Sequence, residues 1–181
     1  MIPDFTVDDV LPAADYEVTT SEIAVSHLVT GINNRSLAWD ATWRKYLVIN
    51  LELMVNQLWN VGIDQIYIDG SFVENKDHPN DIDGYFECDA RRFVTGELER
   101  ELNALDPFKI WTWDHRSRKL DPNSPKLQLP MWHRYRVELY PHWPGNLCGI
   151  QDRFGNELEF PSAFRQSRSL HRQKGILKIK P

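Results

Sequence analysis

Within one short stretch the chain exchanges a helical hydrophobic rhythm for a strand-like one, and that exchange limits the fold more than any other feature. Over residues 39–60, Trp43, Leu47, Leu51, Met54, Val55 and Leu58 recur at the spacing of one buried helix face. Gly62 then supplies the left-handed backbone that commonly closes a helix. Residues 64–69 read as a short strand that stops at Gly70-Ser71. Turn formers fill residues 74–80, and residues 81–87 form a second strand candidate. A helix is predicted over 89–105, capped by Asp89, with Phe93, Leu98, Leu102 and Leu105 on its apolar side. Further strands are predicted over 108–113, 134–140 and 176–179, and a long loop of functional character over 114–131.

That order points to an α+β (or α/β) fold, a mixed β-sheet flanked by helices. No linker, repeat or low-complexity tract interrupts the chain, so a single domain over 1–181 is expected. Its parts are a lead-in (1–37), a core (38–140) and a C-terminal extension with a basic tail (141–181). The lead-in is expected to hold one short helix, capped at Thr20 or Ser21 and ended by Gly31.

The segment richest in chemistry runs from Asp69-Gly70-Ser71 to Asp81-Ile82-Asp83. Asp81 and Asp83 are two residues apart on a predicted strand, so their carboxylates share one face. A hard divalent cation relieves the repulsion between two such charges, and oxygen-only donors suit Mg²⁺ or Mn²⁺ better than zinc. At Gly70 the backbone can approach a ligand closely, and the N–H groups and Ser71 hydroxyl of the bend suit phosphate oxygens. Glu138 lies between Val137 and Leu139, two core candidates, and so points to the opposite face, onto the site of Asp81 and Asp83. Three carboxylates beside a phosphate-gripping bend are what two-metal phosphoryl or nucleotidyl transfer requires.

Charge is unevenly spread. The chain carries a net charge of −5, yet residues 165–181 hold six basic side chains and no acidic one. The tail is either a solvated end or a local anion-binding strip, in which Arg168 and Lys174 fold back onto a triphosphate or an RNA acceptor. Lys76, in the loop between the motif halves, is either an exposed lysine or a further phosphate contact. Trp111 and Trp113 share one face of a predicted strand, as a packing surface or a platform for a base. The histidines have no zinc-like spacing, and neither a nucleophile elbow nor a Gly-Lys-Ser/Thr phosphate loop occurs. No apolar run is long enough for a membrane span, and the first residues lack a secretory pattern. Two cysteines, Cys88 and Cys148, cannot build a disulfide framework, so a cytoplasmic setting is expected.

The motif Gly70-Ser71-x9-Asp81-x-Asp83 resembles the signature of the polymerase-β-like nucleotidyltransferase superfamily, its minimal members in particular. The interval is one residue shorter than the usual form. The chain also resembles a small uncharacterised bacterial family with this core, at Met1-Ile2-Pro3, Leu11-Pro12, Arg44-x-x-Leu47, Tyr67 to Val73, Lys76-x-x-Pro79-Asn80-Asp81-Ile82-Asp83 and Lys174-Gly175-Ile176. The resemblance implies a nucleotidyltransferase-like fold, catalytic and metal-holding roles for Asp81 and Asp83, and a nucleotide-binding role for Gly70 and Ser71. It implies Glu138 as the third acid, where many relatives have Asp. The implied reaction moves an NMP from an NTP to a hydroxyl of a protein, a tRNA or a small molecule, with Mg²⁺ or Mn²⁺. Small stand-alone members often belong to toxin–antitoxin or phage-defence pairs, which by analogy implies a toxin or antitoxin partner. Two other classes stay open: a non-catalytic nucleotide-binding module that neutralises a partner, and a metal-dependent phosphodiesterase.

Overall fold

The computed structural model describes residues 1–32, 36–122, 124–167 and 172–181. Its strands are Asp15–Val18 (β1), Ile66–Asp69 (β2), Ile82–Glu87 (β3), Lys119–Asp121 (β4), Ser124–Gln128 (β5), Val137–His142 (β6), Leu147–Gln151 (β7), Glu157–Glu159 (β8) and Ile176–Ile179 (β9). Five of them form one mixed sheet in the order β1-β9-β2-β3-β6. β1 and β9 pair in parallel, as do β3 and β6, whereas β2 is antiparallel to both β9 and β3. Two antiparallel hairpins, β4–β5 and β7–β8, stand beside this sheet. The fold is α+β, and the sheet draws strands from both ends of the chain as well as from its middle.

The helices are Thr20–Val25 (α1), His27–Thr30 (α2), Ala41–Asn60 (α3), Ala90–Val94 (α4), Glu97–Leu105 (α5), Pro130–Tyr135 (α6) and Phe160–Phe164 (α7). Helix α3 begins where the Asp40 side chain accepts the Trp43 N–H at 2.9 Å, and it ends before Gly62 at φ +79°. Its inward residues Leu47, Leu51, Met54, Val55 and Leu58 are all buried. Helix α1 is capped one residue before the expected position, where Thr19 and Glu22 form a reciprocal capping box, and the single short helix expected in the lead-in is two, α1 and α2, the second closed by Gly31 at φ +66°.

Other local expectations change, and the loop expected over 114–131 holds β4 and β5. The single helix over 89–105 is two helices, because Gly96 at φ +69° turns the chain between them; Asp89 caps the first, as predicted. The strand over 108–113 does not form. The Asn103 side chain both accepts the Trp111 N–H and donates to the Trp111 carbonyl, taking the place of a strand partner. The strand expected over 134–140 is β6 and starts at Val137, since Arg134 and Tyr135 end α6 and Arg136 turns the chain with φ 55°.

Period-two alternation divides the sheet. Ile66, Ile68, Ile82, Phe86, Val137, Leu139, Leu177 and Ile179 face α3 and α5 and join the main core. On the other face Tyr67, Tyr85 and Ile176 pack against Phe160, Ala163 and Phe164 of α7. Strand register sets two rows across that second face: Tyr67–Tyr85–Tyr140 and, one step along, Asp69–Asp83–Glu138.

Candidate functional site

The acidic row forms the floor of a cleft of about 1260 Å³ that is also lined by Lys126, Leu127 and Gln128 of the β4–β5 hairpin. Asp69 is the last residue of β2, and the chain leaves it through a 3₁₀ turn, Gly70–Val73. Gly70 has φ +77°, and a Cβ there would fall 2.5 Å from Asp83 Oδ2. Only glycine lets the bend lie against that carboxylate. Asp81 stands just before β3 and accepts the Trp132 indole N–H at 2.7 Å. Asp83 and Glu138 are register partners on parallel strands, which places their Cα atoms about 4.8 Å apart on one face.

Of the residues singled out in the sequence, Gly70, Ser71, Lys76, Asp81, Asp83, Glu138 and Lys174 all line this cleft. Arg168 lies outside the described residues. The cleft walls also include Asp69, Arg118, Lys126, Trp132 and Tyr140, which the sequence reading did not select. An acid directly before the Gly-Ser bend was a usable signal for Asp69. Arg118 gave none, because it comes from the stretch read as a loop, and neither did Trp132, just beyond that stretch.

A family model matches residues 3–180. The chain belongs to the family of unknown function DUF6932. No curated protein and no solved structure matches it. The chemistry of this DUF6932 chain therefore has to be read from its side chains.

Glu138 is buried and already engaged. Its Oε1 accepts the Leu129 backbone N–H at 3.0 Å, and its Oε2 accepts the Tyr140 hydroxyl at 2.6 Å. Burial and that carboxylate push the Tyr140 phenol well above its ordinary pKa. Among the described residues no three His, Cys, Asp or Glu side chains form a ready-made cation cage. Asp81 and Asp83, both in the cleft beside the Gly70-Ser71 bend, are oxygen donors of the hard type that Mg²⁺ and Mn²⁺ prefer.

Lys174 lines the cleft, but its ammonium is buried between Asp69 (3.0 Å) and Glu74 (2.6 Å). The pair with Asp69 is close yet poorly directed, for Asp69 Oδ1 accepts no well-aligned hydrogen bond. Burial raises the Asp69 carboxyl to about 6, against the opposing pull of Lys174 and of the Gly70 N–H. Asp69 and Glu74 bracket the Gly70–Val73 turn, so Lys174 ties its two ends together. From beneath, the buried Arg44 donates to the carbonyls of Leu28, Phe72, Glu74 and Lys76. The phosphate-type bend is thus held by two cations that the sequence places far from it.

Among the described basic residues of the tail, four of five are paired with acids of the same molecule. Arg165 pairs with Asp15, Arg172 with Asp8, Lys174 with Asp69 and Glu74, and Lys178 with Glu17. The acids of the lead-in and of the motif attract these cations, so little of their charge is left for a ligand. Trp111 and Trp113 do not form a platform: Trp111 is buried in the main core, and Trp113 packs against it while donating to Leu139 O at 2.8 Å. No helix among the described residues is long and apolar enough to cross a membrane.

Proposed function

We propose that this DUF6932 protein transfers a nucleoside monophosphate from an NTP to an acceptor hydroxyl, with Mg²⁺ or Mn²⁺ and release of pyrophosphate. The observation that supports it is the contact of Asp83 with Gly70 in one cleft that also holds Ser71 and Asp81. The Ser71 N–H and hydroxyl bind the outer phosphates of the NTP, which the side-chain-free Gly70 lets approach the backbone closely. Asp81 and Asp83 hold the divalent ion, with the Trp132 indole fixing the Asp81 carboxylate. Bound there, the ion supplies neutralisation of triphosphate charge and a lowered pKa for the attacking hydroxyl. The acceptor oxygen forms its bond to the α-phosphorus as the bond to the pyrophosphate oxygen breaks, and the hydroxyl proton passes to a floor carboxylate. Glu138, with both oxygens hydrogen-bonded, shapes the floor rather than taking that proton. A cytoplasmic setting belongs to the same proposal, since Cys88 and Cys148 are free thiols.

The test is transfer of label from each α-labelled NTP, with Mg²⁺ and total cell extract. One macromolecule should gain label with the intact protein and none with the Asp81→Ala/Asp83→Ala variant. Label that persists in the variant overturns the assignment.

A second reading, a module that binds nucleotide without turning it over and neutralises a partner protein, is favoured by the engagement of both Glu138 oxygens. It predicts saturable NTP binding with no label transferred to any acceptor.

A further inference from the structure

Both legs of the β4–β5 hairpin lead to one carboxylate. Arg118 stands directly before β4 and Leu129 directly after β5. The Leu129 N–H donates to Glu138 Oε1, and an Arg118 guanidinium nitrogen lies 4.0 Å from the same oxygen. Tyr140 completes the anchor, donating to Glu138 Oε2 while its oxygen accepts from Arg118 at 3.2 Å. Arg118 also donates to Leu127 O at 3.1 Å, within the hairpin itself. Two of the five guanidinium donors are used in this way, and Arg118 lines the cleft above the acidic floor.

We propose that Arg118, with Lys126 of the same hairpin, is the polyphosphate-binding group of the cleft, and that Glu138 is the positioning residue that fixes it there. Three observations converge. First, the floor row Asp69–Asp83–Glu138 repels any polyanion, so a polyanionic ligand needs cations on the facing wall. Second, Lys174 cannot serve, because it is buried between Asp69 and Glu74. Third, Arg118 lies at the Glu138 end of the acidic row and the Gly70-Ser71 bend at its Asp69 end, with Lys126 in the same cleft, so phosphate oxygens are met from both ends of the row. A planar guanidinium with donors to spare suits two oxygens of one phosphate or a pair of adjacent phosphates.

The inference rests on the nucleotidyl-transfer reading for its choice of a triphosphate, but its test needs neither metal nor turnover. The probe is inorganic tripolyphosphate, titrated calorimetrically into the protein in EDTA. The parent should bind it, with affinity falling as salt rises. Arg118→Met should weaken binding roughly tenfold or more, Arg118→Lys less, and Lys126→Ala a few-fold. Glu138→Gln should weaken binding in the parent but add nothing in the Arg118→Met background, which separates positioning from a general loss of structure. Should Arg118→Met fail to fold, Lys126→Ala, at an exposed position, carries the test alone.

No binding by the parent, or unchanged binding in folded Arg118→Met and Lys126→Ala, overturns the proposal. The two readings fail separately. Arg118-dependent tripolyphosphate binding without any label transfer sinks only the transfer reaction. Label transfer with binding indifferent to Arg118 and Lys126 sinks only this inference.

Discussion

The two faces of the central sheet are made by alternate residues of the same strands, yet they do different work. Toward α3 and α5, Ile66, Ile68, Ile82, Phe86, Val137 and Leu139 are buried among other apolar side chains. That face stabilises by removing surface from water, at about 25 cal/mol per Å². The opposite face carries the Asp69–Asp83–Glu138 row and, beside it, the tyrosine row capped by α7. Placing three carboxylates in line is unfavourable unless cations answer them. Here Lys174 answers Asp69, Arg118 and two hydrogen bonds answer Glu138, and Asp83 lies against the Gly70 bend. One face is built for stability, and the other holds a charge arrangement that a ligand can complete.

Adjacent positions on β3 and β6 probe that division most strongly. Leu139→Ala on the helix side should cost about 2–5 kcal/mol in urea denaturation while the folded fraction keeps its transfer rate. Asp83→Asn on the cleft side should lower transfer at least about a hundredfold and leave stability equal or higher. A large stability loss in Asp83→Asn, or a dead but folded Leu139→Ala, would break the separation.

A smaller effect is expected at the boundary between the faces. Gly70→Ala forces a side chain into the left-handed region and within 2.5 Å of Asp83 Oδ2. It should cost about 1–2 kcal/mol and displace the carboxylate, so transfer falls more than stability does. Thermal denaturation and label transfer, measured on one preparation, compare the two losses.

The smallest effect concerns pH. Asp69 has its folded pKa raised to about 6 by burial, above the ordinary value of 3.8. The folded state therefore holds that proton more tightly than the unfolded chain does. The stability this gives is complete below about pH 4 and is lost as pH rises through about 6. Denaturation midpoints between pH 4 and 6.5 should fall more steeply for the parent than for Asp69→Asn. Parallel slopes would show that Lys174 holds Asp69 ionised throughout.

Much of the fold was legible where the signal is local. The period of Leu47, Leu51, Met54 and Leu58 located α3, and Gly62 marked its end. Val137 and Leu139 against Glu138 gave the faces of β6. Strand β1 escaped because Asp15-Tyr16-Glu17-Val18 is an exposed edge with one buried residue, so it carries little alternation of hydrophobicity. Residues 108–113 looked like a strand because they are rich in aromatic and β-branched side chains, but Ile110 and Trp111 are buried by packing into the main core, with the Asn103 side chain pairing the Trp111 backbone. Within the site, the Gly-Ser bend and the Asp81/Asp83 pair were visible as a motif. The partners that tune them were not.

The chain alone determined which side chains alternate onto the chemical face, since side-chain direction along a strand follows from backbone geometry at each residue. Tertiary structure decided which charges meet there. Lys174 and Glu74 are 100 positions apart, and Arg118 finds Tyr140 and Glu138 only when the hairpin folds back on β6. Such pairings depend on closing long loops and packing the sheet, and a short window of sequence holds no trace of them.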